Sequence, residues 1–243
     1  SAAEISPKVA RARAASTASA RRLPLPCAPS RSASSAARHA ASSRAACTAA
    51  IRATWPARTV LIVTDVKKGD PAALAGAYAA LITASGGGVL GLFTAIRRLR
   101  STYARIADRL ARDGLPLYAQ HVDSIDTGTL VDIFRDDPHA SLLGTDALRD
   151  GVDVPGHSLR LVVMEQIPWP RPDILHRARR LKQGGMDYDD RIIRAKMAQA
   201  FGRLIRSAGD TGHFVLLSSA VPSRLLSAFP PGTPIRRVTL EEA

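Results

Sequence analysis

The chain has 243 residues, 46% hydrophobic and 23% charged, which is enough apolar material for one sizeable core beside an appendage. No run approaches 18 uninterrupted apolar residues, so no membrane-spanning helix is expected; the expected location is the cytoplasm. Two cysteines are too few for a disulfide framework or a four-thiolate iron–sulfur site. The formal charge of +13 points to an anionic partner, but it is unevenly spread: residues 1–59 hold ten Lys or Arg against one acid, Glu4, whereas residues 60–243 hold 24 bases and 20 acids.

The first quarter is a different polymer from the rest. Of residues 1–50, 18 are Ala, 10 Ser and 7 Arg, with no aromatic. Such a segment cannot bury enough surface to offset its chain entropy, so residues 1–58 are expected to be a disordered tail. Both cysteines, Cys27 and Cys47, lie there and are expected to be incidental thiols rather than a disulfide or metal ligands. Three readings of the tail stand side by side: an organellar leader, a basic arm for nucleic-acid phosphates, or out-of-frame coding sequence ahead of a fragment.

From Thr59 the pattern alternates. Val60–Val63 reads as a strand, Ala72–Ala84 as a helix stopped by Gly86-Gly87-Gly88, and Val89–Phe93 as a buried strand ending at Thr94. Ile96, Leu99, Tyr103, Ile106 and Leu110 recur at spacings of three and four, which predicts the next helix. Further strands are expected at Leu117–Ala119, Ala140–Leu143, Leu159–Met164, His213–Leu217 and Ile235–Leu240. The helices between them fall at Thr127–Phe134, Asp173–Lys182, Asp190–Ser207 and Ser223–Phe229. Strands alternating with helices mean crossover units and a mostly parallel sheet covered on both faces, an α/β fold of the nucleotide-binding kind. In such folds ligands gather outside the carboxyl ends of the strands, where this sequence places Thr94, Gln120, Thr145 and Glu165.

Three constellations carry chemistry. Continued as a helix, Gln199, Gly202, Arg203 and Arg206 occupy positions i, i+3, i+4 and i+7, one polar stripe opposite Met197, Phe201, Leu204 and Ile205. Two arginines one turn apart suit phosphate oxygens, and a glycine between them lets a ligand approach the backbone. The same octapeptide also fits an ordinary amphipathic surface helix. The loop Gly144–Gly156 offers Thr145 and backbone N–H groups to a phosphate, and Asp153 to a sugar hydroxyl or an arginine; a plain turn-rich connection has the same composition. The third is Pro168-Trp169-Pro170 running into a basic helix with Arg177, Arg179 and Arg180, suited to a nucleic-acid backbone. Trp169 is expected in the core or at a hinge rather than stacked on a base, and His176 as a solvated helix residue.

Taken in order, a strand ending Phe-Thr, a Gly-Thr…Gly-Val-Asp-x-Pro-Gly loop, a Pro-Trp-Pro segment and Gln-x-x-Gly-Arg-x-Ile-Arg resemble the second motor domain of superfamily 2 DNA helicases, the DinG/XPD group above all. The resemblance covers about residues 59–243 and implies a RecA-like domain of the P-loop NTPase type. By it, Arg203 and Arg206 are arginine fingers that reach ATP phosphates on a first motor domain. Gln199, Gly202, Gly151 and Asp153 line the nucleotide, and Thr94 and Thr145 touch the tracking strand of single-stranded or forked DNA. Arg149-Asp150 departs from the Trp-Glu that the family often has there. No Gly-x-x-x-x-Gly-Lys-Ser/Thr occurs, so ATP and Mg²⁺ are expected to bind only with a complementary first motor domain. The alternative is a non-catalytic basic nucleic-acid-binding module, or a degenerate helicase remnant.

Overall fold

The structure, a computed structural model, describes residues 58–145, 148, 154, 157–205 and 210–243. Residues 1–57 lie outside that set, as do Arg149, Asp150, Gly151, Asp153 and Arg206.

Seven strands form one wholly parallel sheet: β1 (Val60–Val63), β2 (Val89–Leu92), β3 (Leu117–Ala119), β4 (Ser141–Gly144), β5 (Leu161–Met164), β6 (His213–Leu217) and β7 (Ile235–Val238). Their order across the sheet is β3-β4-β2-β5-β6-β1-β7. Among the described residues the helices are α1 (Pro71–Ser85), α2 (Ile96–Arg112), α3 (Thr127–Asp136), α4 (Ile174–Lys182) and α5 (Met186–Gly202), with a 3₁₀ turn at Ser223–Ala228.

Alternation along each short strand divides the core into two layers. Val60 and Ile62 pack with Leu130, Phe134, Met197 and Phe201 under α3 and α5, while Leu61 and Val63 pack with Tyr78, Ile82, Leu99 and Ile106 under α1 and α2. Both faces are buried, which is why these strands read as continuous apolar runs. Phe201, Phe214 and Phe229 meet edge to face, their ring centroids 5.4–6.1 Å apart, and fix the end of α5 to the sheet. On the other layer Tyr78 stacks on Phe93 at 4.8 Å, directly before Thr94.

The helix boundaries follow local chemistry. The Asp70 carboxylate accepts the N–H groups of Ala72 and Ala73, Pro71 occupies the first helical turn, and Gly86 closes α1 with φ +67°. Two expectations need correction. The helix expected at Asp190–Ser207 begins at Met186, after the Gly184-Gly185 turn (φ +93° and +62°), with Asp187 and Asp189 in its positive first turn. It also ends at Gly202, because Leu204 is drawn into the core beside Gly212 and the chain leaves the helix axis through i→i+3 bonds from Arg203 to Ala200 and from Leu204 to Phe201.

Candidate functional site

The end of every strand in a parallel sheet faces one edge, and polar groups collect there. At the end of β2, the Thr94 hydroxyl donates to Glu165 Oε1 (2.5 Å) and accepts from Arg98 (2.7 Å) and Gln166 Nε2 (2.7 Å). A threonine hydroxyl has one proton and two lone pairs, so its capacity is used within the chain. Thr94 N–H also donates to Glu165 Oε1 at 2.7 Å, and Arg98 Nε lies 3.1 Å from Glu165 Oε2. The Glu165 side chain is almost wholly buried while Arg98 is about a third exposed. Burial pushes the Glu165 carboxyl above its ordinary range, opposed by the two Thr94 bonds and by the Arg98 charge.

A parallel arrangement serves Thr145 at the end of β4. Its N–H and hydroxyl both donate to Gln120 Oε1, each at 3.1 Å, and Gln120 Nε2 reaches Thr127 at 3.4 Å. His121, the next residue, has φ +67°, and its carbonyl accepts twice from Arg100. Thr94 and Thr145 line one groove of about 340 Å³ together with Phe93, Trp169, Arg171 and Lys196. The two threonines, 51 positions apart in sequence, are thus on one surface.

The third constellation is built differently from its expectation. Ile167 is buried, but Trp169 is 49% exposed, so it is not a core residue. Asp173 caps α4 through the His176 N–H at 2.6 Å, and no residue of α4 is buried. His176 is not a solvated residue: its side chain is only 13% exposed, its Nε2 lies 2.9 Å from Asp189 Oδ1, and its ring stacks on Tyr188. Arg180 pairs with the other Asp189 oxygen at 2.9 Å, whereas Arg177 and Arg179 face solvent.

The last constellation sits on the opposite edge. Helix α5 returns from the carboxyl end of β5 to the amino end of β6, so its final turn lies beside Gly212, which accepts the Arg58 N–H at 3.0 Å. Gln199 and Gly202 are exposed there, and Arg203 is half-buried. The stripe expected for four residues therefore holds for Gln199 and Gly202; Arg203 stands at the helix end and Arg206 is outside the described residues. Among the described residues a Cβ on Gly202 would meet nothing within 4 Å beyond its own helix backbone, so none of their packing requires glycine here. Gly151 and Asp153 are also outside the described residues, between the buried Leu148 and Val154. Sequence reasoning missed Arg98 and Gln166; the available signal was Arg98 four positions after Thr94 at the start of a helix.

A parallel sheet covered by helices on both faces is the doubly wound α/β architecture to which RecA-like domains belong. Residues 78–230 match the helicase C-terminal domain family, and the chain belongs to it. It is similar to the ATP-dependent helicase DinG of Mycobacterium tuberculosis, 39% identical over 158 residues, which are 62% of this chain and 23% of that protein. It is similar also to the 3'-5' exonuclease DinG of Bacillus subtilis, 31% identical over 140 residues, 55% of this chain and 15% of that protein. The chain thus spans a quarter or less of the length of these relatives. In fold it resembles S. cerevisiae Dbp5 bound to RNA and ADP BeF3, with a TM-score of 0.52 at 16% identity over 76% of this chain and 42% of that one. The expected second motor domain of the DinG/XPD type is what this chain carries. Among the described residues no helix is long and apolar enough to cross a membrane.

Proposed function

We propose that this chain is the second motor half of an ATP-dependent DNA helicase, working one polar edge on nucleotide and the other on a nucleic-acid strand. The observation that carries the reading is this two-edged arrangement. Thr94 and Thr145 share a groove at the carboxyl edge, while Gln199, Gly202 and Arg203 lie together at the amino edge. A rigid sheet joins the edges, so a domain rotation that follows the nucleotide also moves the strand-binding groove.

At the amino edge, Arg203, followed by Arg206, supplies guanidinium groups to the phosphates of ATP held by a first motor domain. Gln199, Gly202, Gly151 and Asp153 line that nucleotide, and exposed Gly202 allows close approach of the ligand. The described residues hold no group of three or more His, Cys, Asp or Glu that could bind a metal ion, so they do not fit a Mg²⁺ site. Mg²⁺ accompanies the triphosphate on the complementary domain. At the carboxyl edge, Thr145 keeps hydroxyl lone pairs and Arg98 keeps exposed guanidinium surface for single-stranded or forked DNA. Thr94 organises that edge through its filled network. Arg177, Arg179 and Arg180 on α4 extend the basic surface.

The test is a fusion of a DinG-type first motor domain ahead of Val60. Arg203→Ala is expected to lower DNA-stimulated ATP hydrolysis by about 10³–10⁵, the usual worth of an arginine finger. Arg105→Ala, exposed on α2, leaves hydrolysis unchanged. A folded Arg203→Ala fusion with full hydrolysis refutes the assignment.

A further inference from the structure

Trp169 stands at the border of two clefts. One is the groove with Thr94, Thr145, Arg171 and Lys196; the other, about 480 Å³, is lined by Lys67, Lys68, Arg97 and Arg98 among others. The indole is about half exposed, yet its backbone is held firmly. Pro168 and Pro170 fix the flanking φ angles, the Trp169 N–H donates to the Ile167 carbonyl at 2.9 Å, and Ile167 is buried at 3% exposure. Among the described residues no ring stacks on this indole and no cation lies over it. A half-exposed aromatic ring thus stands on a turn held between two prolines, with no ring or cation against it among the described residues.

The second cleft has charge to match. Lys67, Lys68 and Arg97 are exposed and form no ion pair among the described residues. The lining sets four cations, Lys67, Lys68, Arg97 and Arg98, against two acids: Glu165 lies against Arg98, and Asp70, the cap of α1, feels the Lys67 charge, so the cleft stays net positive. Like charges left together in a cleft repel one another unless an anion enters.

We propose that Trp169 is a base-stacking platform for a single-stranded nucleic acid, set between two phosphate-binding clefts. One base lies on the indole, and the phosphates on its two sides enter the Lys67/Lys68/Arg97 cleft and the Arg171/Lys196 groove. Every base has a π-face, so the platform binds without sequence preference. This deepens the reading of the carboxyl edge as strand-binding and rests on it.

The experiment uses the full chain carrying Trp55→Phe, which leaves Trp169 as the one tryptophan of two. A labelled oligothymidylate is titrated by anisotropy while indole emission is recorded. Emission is expected to be quenched in step with binding. Trp169→Ala weakens binding about tenfold, the scale of one base–aromatic stack, with the salt slope unchanged, and Trp169→Phe retains most of the affinity. Lys67→Gln with Lys68→Gln instead lowers the salt slope by about 0.7 per lost phosphate contact. Binding with emission unchanged, or equal affinity for Trp169→Ala, overturns the platform and leaves the function proposed above standing. No binding at all overturns both.

Discussion

Replacing Thr94 by Val tests whether the carboxyl edge is organised by one hydroxyl. Valine has nearly the same shape, so no cavity forms and the change is purely polar. Glu165, buried, loses the 2.5 Å hydroxyl bond but keeps the Thr94 N–H at 2.7 Å; Arg98 and Gln166 lose an acceptor at 2.7 Å, which water can replace at their exposed side. The dominant cost is therefore one hydrogen bond to a buried carboxylate, about 2 kcal/mol. In a domain of this size that lowers Tm by about 4–8 °C. In urea the midpoint falls while the m-value is unchanged. The effect depends on pH. Burial raises the Glu165 pKa, so its favourable contribution is complete below the ordinary carboxylate range and is lost as pH rises through the raised value. The Thr94 bonds limit that loss by favouring the charged form. Without the hydroxyl bond the pKa rises further, so the gap between parent and variant is widest at pH 7 and narrows toward pH 4. Thr94→Ser keeps the hydroxyl and costs about 0.8 kcal/mol or less, the worth of a methyl group. A loss under about 0.5 kcal/mol at pH 7, or a gap that widens on acidification, refutes the account.

Gly87→Ala is expected to cost at least about 3 kcal/mol by thermal or urea unfolding: φ is +89° and a Cβ would stand 2.1 Å from the His139 carbonyl oxygen, which is backbone and cannot yield. Gly202→Ala should instead leave stability equal or raise it by up to about 1 kcal/mol, while lowering ATP hydrolysis in the fusion if a nucleotide approaches there. A chain begun at Arg58 is expected to unfold at the same urea concentration as the full chain, since both core layers lie within residues 60–238. A large fall in its midpoint would show that residues 1–57 take part in the fold.

Much of this molecule was legible in the residue order, for stated physical reasons. Strands buried on both faces leave continuous apolar runs, and capped helices leave Asp70-Pro71 and Asp173, so all seven strands lie at or within two residues of their expected places. The Gln199–Arg206 segment and the Gly144–Gly156 loop marked the family because short-range spacing survives in sequence. Boundaries decided by distant contacts were not legible. The course of α5 past Gly202 depends on Leu204 meeting Gly212, and the exposure of Trp169 on how Ile167 is anchored, neither of which a local pattern records. Nor could spacing show that Thr94 is filled by Glu165, Arg98 and Gln166, since Thr94 and Glu165 are 71 residues apart and meet because β2 and β5 pair in parallel. The sequence determined which residue types the chain carries; the sheet alone decided that Thr94 and Thr145 share one edge while the end of α5 lies at the other, because a parallel crossover must carry α5 back to the amino end of the next strand.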